Sequence, residues 1–147
     1  MAHERPEDFR LVVGNWDRCR EDASLIRHEV FVVEQQVPLE LELDEHDAEC
    51  VHALAYEGNT PAGTGRLLPD GHIGRMAVRR AYRGKGVGSR ILTALVDEAR
   101  LRGHLEVVLA AQVHARDFYT AHGFVPEGDI FLDAGIDHIL MRRALTS

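Results

Sequence analysis

The run Arg83-Gly84-Lys85-Gly86-Val87-Gly88 stands between a strand-like stretch at 73–78 and a long amphipathic stretch beginning at Val87. A turn so rich in glycine presents backbone N–H groups with no side chains in the way. The helix that follows adds the unsatisfied donors of its first turn and the positive end of its dipole. The run therefore fixes a strand–turn–helix unit and makes a seat for a phosphate-bearing ligand.

The pattern around that unit is one of short strands and amphipathic helices. Phe9, Leu11 and Val13 alternate with Arg10 and Val12, which predicts a first strand. Asp17 is placed to cap a helix whose apolar face is Cys19, Ala23, Ile26, Val30 and Val33, ended by Pro38. Residues 39–49 are acidic and irregular. Strands follow at 51–57, 61–68 and 72–78, joined by Gly58-Asn59 and by Pro69-Asp70-Gly71, whose glycines accept the positive φ of tight turns. Val87, Ile91, Leu92, Leu95, Val96 and Ala99 form the stripe of the long helix, with Gly103 as its left-handed cap. A strand at 105–110, a short helix at 115–122 and a hairpin from 124–132 and 138–144 complete the chain. The predicted class is mixed α/β: a mostly antiparallel six- or seven-stranded sheet with helices on both faces.

At 147 residues the chain is expected to form a single domain, 1–147, that buries enough surface to need no staple. A net charge of -7 makes it a poor match for nucleic acid. No apolar stretch approaches the ~20 residues of a membrane span. Cys19 and Cys50 form no C-x-x-C pair, and residues 1–8 lack the apolar core of a leader peptide. A cytoplasmic setting is expected. The cluster Asp44-Glu45-His46-Asp47 reads as a solvated acidic loop rather than a metal site, because adjacent residues of an extended segment diverge and no second histidine stands at ligand spacing. No metal is expected. His52 opens a strand and is read as satisfying the sheet's edge.

Two familiar phosphate loops do not fit. A nucleoside-triphosphate loop needs a Lys-Ser/Thr pair opening the helix, whereas Lys85 lies between the glycines. The dinucleotide pattern needs G-x-G-x-x-G, whereas Gly84, Gly86 and Gly88 give G-x-G-x-G. The turn instead resembles that of the GCN5-related N-acetyltransferases. Arg75-Met76-Ala77-Val78 is similar to that family's central strand. Ala115-Arg116-Asp117-Phe118-Tyr119 with Gly123-Phe124 is similar to its A-x-x-F-Y…G-F segment. The resemblance covers nearly the whole chain, with two motifs in the right order. A narrower resemblance to a small bacterial subgroup rests on Arg27-x-x-Val30-Phe31-Val32-Val33-Glu34-Gln35-x-Val37-Pro38, Glu42-x-Asp44 with Asp47, Ala111-Gln112 and Gly135-Ile136-x-His138-x-x-Met141.

The resemblance implies the acyl-CoA N-acyltransferase fold, acetyl-coenzyme A as co-substrate and an amine as acceptor. Backbone donors at Gly84, Lys85, Gly86, Val87 and Gly88 would face the pyrophosphate, with Arg83 and Lys85 adding charge and Ser89 a hydroxyl. Met76, Ala77 and Val78 would pair with the pantetheine arm as another strand does, and the amide near Met76 or Ala77 would receive the oxyanion. Gln112 either orients the acetyl group or ends its strand. Tyr119 is the implied general acid, effective if the site helps, for example by lowering its pKa. The family's strand glutamate is missing here, since Arg75 stands in that stretch. The base is left among Glu34, His138 and a water chain. Two other readings remain open: a noncatalytic acyl-coenzyme A sensor, and a transferase of longer acyl chains. A homodimer through the last hairpin is compatible with the sequence.

Overall fold

The computed structural model describes residues 9–42 and 44–145. Residues 1–8, on which the expectation of no leader rests, lie outside them. The order is β1 (Arg10–Gly14), α1 (Trp16–Arg27), a π-helical turn (His28–Glu34), α2 (Leu39–Glu42), a 3-10 turn (Glu45–Glu49), β2 (Val51–Glu57), β3 (Thr60–Leu67) and β4 (Ile73–Val78). Then come α3 (Val87–Leu101), β5 (Glu106–Gln112), α4 (Arg116–Ala121), β6 (Val125–Asp133) and β7 (Ile136–Ala144). No helix among the described residues is long and apolar enough to cross a membrane.

The strands form two antiparallel sheets, ordered β1-β2-β3-β4 and β5-β7-β6. Among the described residues the two meet at a single parallel bridge, between His72 and Val108, where Val108 N–H donates to Gly71 O. Beyond that bridge β4 and β5 part. The predicted mixed, mostly antiparallel architecture is what folds, and the break between β4 and β5 opens a cleft.

Strand alternation divides β2 between two cores. Val51, Ala53 and Ala55 pack with Val87, Ile91, Leu92, Leu95 and Val96 of α3. Leu54 and Tyr56 turn to the other face and pack with Cys19, Ala23 and Ile26 of α1. The helices therefore cover opposite faces, as predicted. Two glycines of β3 let α3 come close. A Cβ on Gly65 would stand 2.6 Å from Met76 Sδ and 3.0 Å from both Ile91 Cγ2 and Leu95 Cδ1, and one on Gly63 would stand 2.8 Å from Ile91 Cδ1.

Four local expectations need correction. The cap of α1 is Asn15, whose side chain accepts from Arg18 N–H; Asp17 lies inside the first turn. The first helix does not run on as α to Val33. It changes to i→i+5 bonding, with Gln35 N–H reaching Val30 O, and this wider winding leaves Val33 exposed. The cluster Asp44-Glu45-His46-Asp47 is not wholly solvated, since Asp47 is buried and Asp44 is half-buried. His52 does not sit at an open edge: it is buried, with Nε2 against Asp47 O at 2.9 Å.

Candidate active site

The cleft between β4 and β5 is a cavity of about 980 Å³. One wall is β4 from Ile73 to Val78. The other is Leu109, Ala110 and Gln112 of β5, with Ala115, Tyr119 and His138 behind them. Glu34, Gln35 and Val37 close it from the α1 side. Because β4 is the last strand of its sheet, its cleft-facing edge is unpaired beyond the bridge at His72. The β3 edge is interrupted as well. Thr64 pairs with Ala77 and Arg66 with Gly74, so Arg75 and Met76 together oppose Gly65 in a bulge. Arg75 takes φ +49 there, a left-handed conformation that side chains disfavour. The bulge re-aims the backbone at Met76, beside the cleft.

At the end of β4 stands the glycine turn. Gly84 and Gly86 have φ +77 and +81, and Gly86 is the N-cap of α3. The N-cap Gly86 has no side chain with which to bond the first-turn N–H groups of α3. The backbone at Gly84, Lys85, Gly86, Val87 and Gly88 is thus built as a donor-rich concavity. Their side chains do other things. Val87 is buried in the core, and Gly88 gives room to the Phe118 ring of α4, whose Cζ would be 3.4 Å from a Cβ there. Ser89 lines a second hollow with Leu11, Thr93 and Asp97.

Arg83 does not stand at the rim as an uncommitted charge. Its Nε donates to Val78 O at 2.9 Å, and its two Nη groups grip both oxygens of Glu34 at 2.7 and 2.8 Å. Those hydrogen bonds hold Glu34 ionised and push its pKa below the usual carboxylate value, with Arg80 adding to the effect. Glu34 is therefore a weak base and a strong bridge, tying the π-helical turn to the end of β4.

His138 is prepared differently. Its Nδ1 lies 2.7 Å from Ile136 O, a carbonyl that accepts only, so Nδ1 carries a hydrogen and in the neutral ring the lone pair is on Nε2. The ring stacks on Phe131 at 6.0 Å, is buried, and lines the cleft. It stands directly across the sheet from Gln112. The Gln112 amide is shared with Gln35: Gln112 Nε2 donates to Gln35 Oε1 at 2.9 Å, and His114 Nε2 approaches Gln112 Oε1 at 2.6 Å. This bridge spans the cleft from β5 to the end of the π-helical turn.

Tyr119 projects from α4 into the same cavity, held edge-on by Phe118 and Phe124. Burial pushes its pKa up to about 12. Downward tuning, one way in which the site would help the phenol as an acid, does not occur. The group stays protonated.

Sequence reasoning missed the bulge at Arg75, Gln35 as the partner of Gln112, and a buried ion network behind the cleft. Arg27 binds Glu42 and Asp47, while Arg66 binds Asp44 and Asp47, the Nη1 contacts of Arg66 both at 2.8 Å. One signal was present: Arg27 falls four residues after Ala23 and three before Val30, on the helix's apolar stripe.

Two splayed sheets, an unpaired bulged strand and a glycine turn at its end define the acyl-CoA N-acyltransferase architecture. The chain belongs to the GNAT acetyltransferase family, whose domain model matches residues 17–145. It is 39% identical over 139 residues to the uncharacterized N-acetyltransferase YjcF of Bacillus subtilis, covering 92% of this chain and 99% of that one. Among solved structures it is similar to an acyl-CoA N-acyltransferase from Pseudomonas aeruginosa, at 30% identity and a TM-score of 0.81, over 92% of this chain and 99% of that one. It is also similar to Escherichia coli ElaA, at 26% identity and a TM-score of 0.82, over 91% and 99% of the two chains.

Proposed function

We propose that this protein is an N-acetyltransferase that holds acetyl-coenzyme A in the β4–β5 cleft and transfers acetyl directly to a primary amine. The observation that carries the reading is the unpaired edge of β4, running from the bulge at Arg75 to the glycine turn. It offers an amide ladder that leads to a phosphate seat, the shape of a pantetheine arm ending in a pyrophosphate. The residues present fit that co-substrate, which supplies an acyl group already activated as a thioester.

Each residue then has a task. Backbone groups of Met76, Ala77 and Val78 pair with the arm as a neighbouring strand would. N–H groups of Gly84, Lys85, Gly86, Val87, Gly88 and Ser89 bind the pyrophosphate at the start of α3. The amide at Met76 or Ala77 receives the carbonyl oxygen as it gains charge, a contribution of about 2.7–4 kcal/mol where such donors are measured. His138 Nε2 takes the proton of the amine. Tyr119 gives a proton to the departing sulfur. The Gln35–Gln112 bridge closes the site over the reacting atoms and keeps water from them.

Calorimetry with coenzyme A tests the first half, and a panel of amines with acetyl-coenzyme A, read by product mass and thiol release, tests the second. Binding with amine-dependent thiol release is expected. Binding without such release would identify a sensor, and preferential use of longer acyl-coenzyme A in competition would correct the donor. No association on a folded sample would end the reading.

A further inference from the structure

Three arginines meet behind the cleft, and they are not equally satisfied. Arg27 is buried, with its donors shared among Glu42 and both oxygens of Asp47. Arg66 is buried, and its Nη groups hold Asp44 on both oxygens and Asp47 on one. Arg75 receives what is left. Its only hydrogen bonds among the described residues all come from Nη2, to Leu41 O at 3.3 Å, Glu42 O at 3.4 Å and Asp44 Oδ2 at 3.2 Å, an oxygen that Arg66 already holds at 2.8 Å. Arg75 Nε is buried with no partner, and Nη1 has none among the described residues.

Arg75 is nonetheless part of the cleft wall. Its side chain lines the cavity and keeps 28% of its surface exposed. The backbone beneath it is strained, so its placement is costly and the strain points to a use. Burial, and after it the charge of Arg66, lower its pKa from the ordinary arginine value, as expected for a cation short of counter-charge. The other acids of the cavity wall are spoken for or stand elsewhere. Glu34 is held by Arg83, Glu42 by Arg27, and Asp70 lies against His72. Asp133 lies beyond, at the end of β6, on the cavity wall that His138 also lines.

We propose that Arg75 anchors an anionic group of the acceptor, so that the preferred substrates are small amines bearing a carboxylate or phosphate in the same molecule. The anion completes the Arg75 shell through Nη1. The ammonium end lies toward Asp133 and gives its proton to His138. This inference rests on the acetyltransferase reading and names its acceptor class.

The test compares matched acceptors with acetyl-coenzyme A: L-amino acids, their amides, the corresponding alkylamines, and O-phosphoethanolamine against ethanolamine. Anion-bearing members should exceed their neutral partners in kcat/KM by roughly 10- to 100-fold, the span of one hydrogen bond to a charged group. Arg75→Gln should bring that ratio near one. Because a ratio does not depend on the fraction folded, a merely structural role for Arg75 would leave it unmoved. A carboxylate winner and a phosphate winner distinguish the two sources of the anion. A panel in which no anion-bearing amine outruns its neutral partner, or an Arg75→Gln ratio like that of the wild type, overturns the proposal. The coenzyme A titration separates the two readings: binding without anion preference sinks only this one, and no binding sinks both.

Discussion

Tyr119 and His138 face one cavity from different elements. Burial keeps the Tyr119 phenol protonated, at about 12. The Ile136 carbonyl fixes the His138 tautomer, so that in the neutral ring the lone pair is on Nε2. One group can give a proton and the other can take one, without any rearrangement. Tyr119→Phe should keep the fold, since the ring packs on Phe118 and Phe124, and lower kcat by roughly 10²–10⁴. An unchanged kcat would show that sulfur leaves without this proton. His138→Gln should flatten the acidic limb of the pH–rate profile. Glu34→Gln should leave that limb in place, because Arg83 keeps Glu34 ionised throughout the neutral range. A limb that survives in His138→Gln and vanishes in Glu34→Gln would reverse the two roles.

The bulge of β4 and the long helix α3 are coupled through glycine. Met76 can tuck beneath Arg75 because Gly65 has no side chain, and the same gap admits Ile91 and Leu95. Gly65→Ala forces a contact at 2.6 Å with Met76 Sδ and at 3.0 Å with both aliphatic side chains. Overpacking of this kind costs about 1–3 kcal/mol. Chemical denaturation should report that loss, and coenzyme A affinity should fall with it as the strand edge shifts. A variant as stable as wild type would show that Met76 moves aside without effect. This coupling explains what the sequence could and could not disclose. The turn at 83–88 and the stripe from Val87 to Ala99 were legible because they depend on local bonding and period alone. The parting of β4 from β5 was not, since it depends on a pairing that stops after His72. The π-helical turn was equally hidden: Val33 keeps α-helical spacing, yet the wider winding carries it to solvent and brings Glu34 to Arg83. Asp44 and Asp47 read as solvated because their partners, Arg66 and Arg27, are distant in sequence.

At the scale of the whole molecule, the buried ion network joins α1, α2 and β3 behind the cleft, so its titration should govern stability in acid. Hydrogen bonds from Arg66 hold the Asp44 pKa at about 2. Burial would raise Asp47, but Arg27 and Arg66 outweigh it and lower its pKa. In the unfolded chain both titrate near ~3.9. Below that value the unfolded state takes up protons that the folded state refuses, so their stabilisation is whole above pH ~4 and is lost as pH falls toward ~2. For Asp44 it amounts to about 2 kcal/mol. His52 acts in the same direction at higher pH. Burial lowers its pKa, so the unfolded chain binds a proton first, and stability begins to decline below pH ~6.5. Urea unfolding across pH 7 to 2 should therefore show a shallow decline beginning near pH ~6.5 and a steep one below pH ~4. His52→Gln should remove the shallow phase. Asp47→Asn should cost about 3–5 kcal/mol at pH 7, because it leaves Arg27 and Arg66 short of a buried counter-charge. It should also soften the steep phase, since one of the two carboxylates that drive it is gone. A wild-type profile flat from pH 7 to 3 would mean that the three arginines are held by the fold rather than holding it.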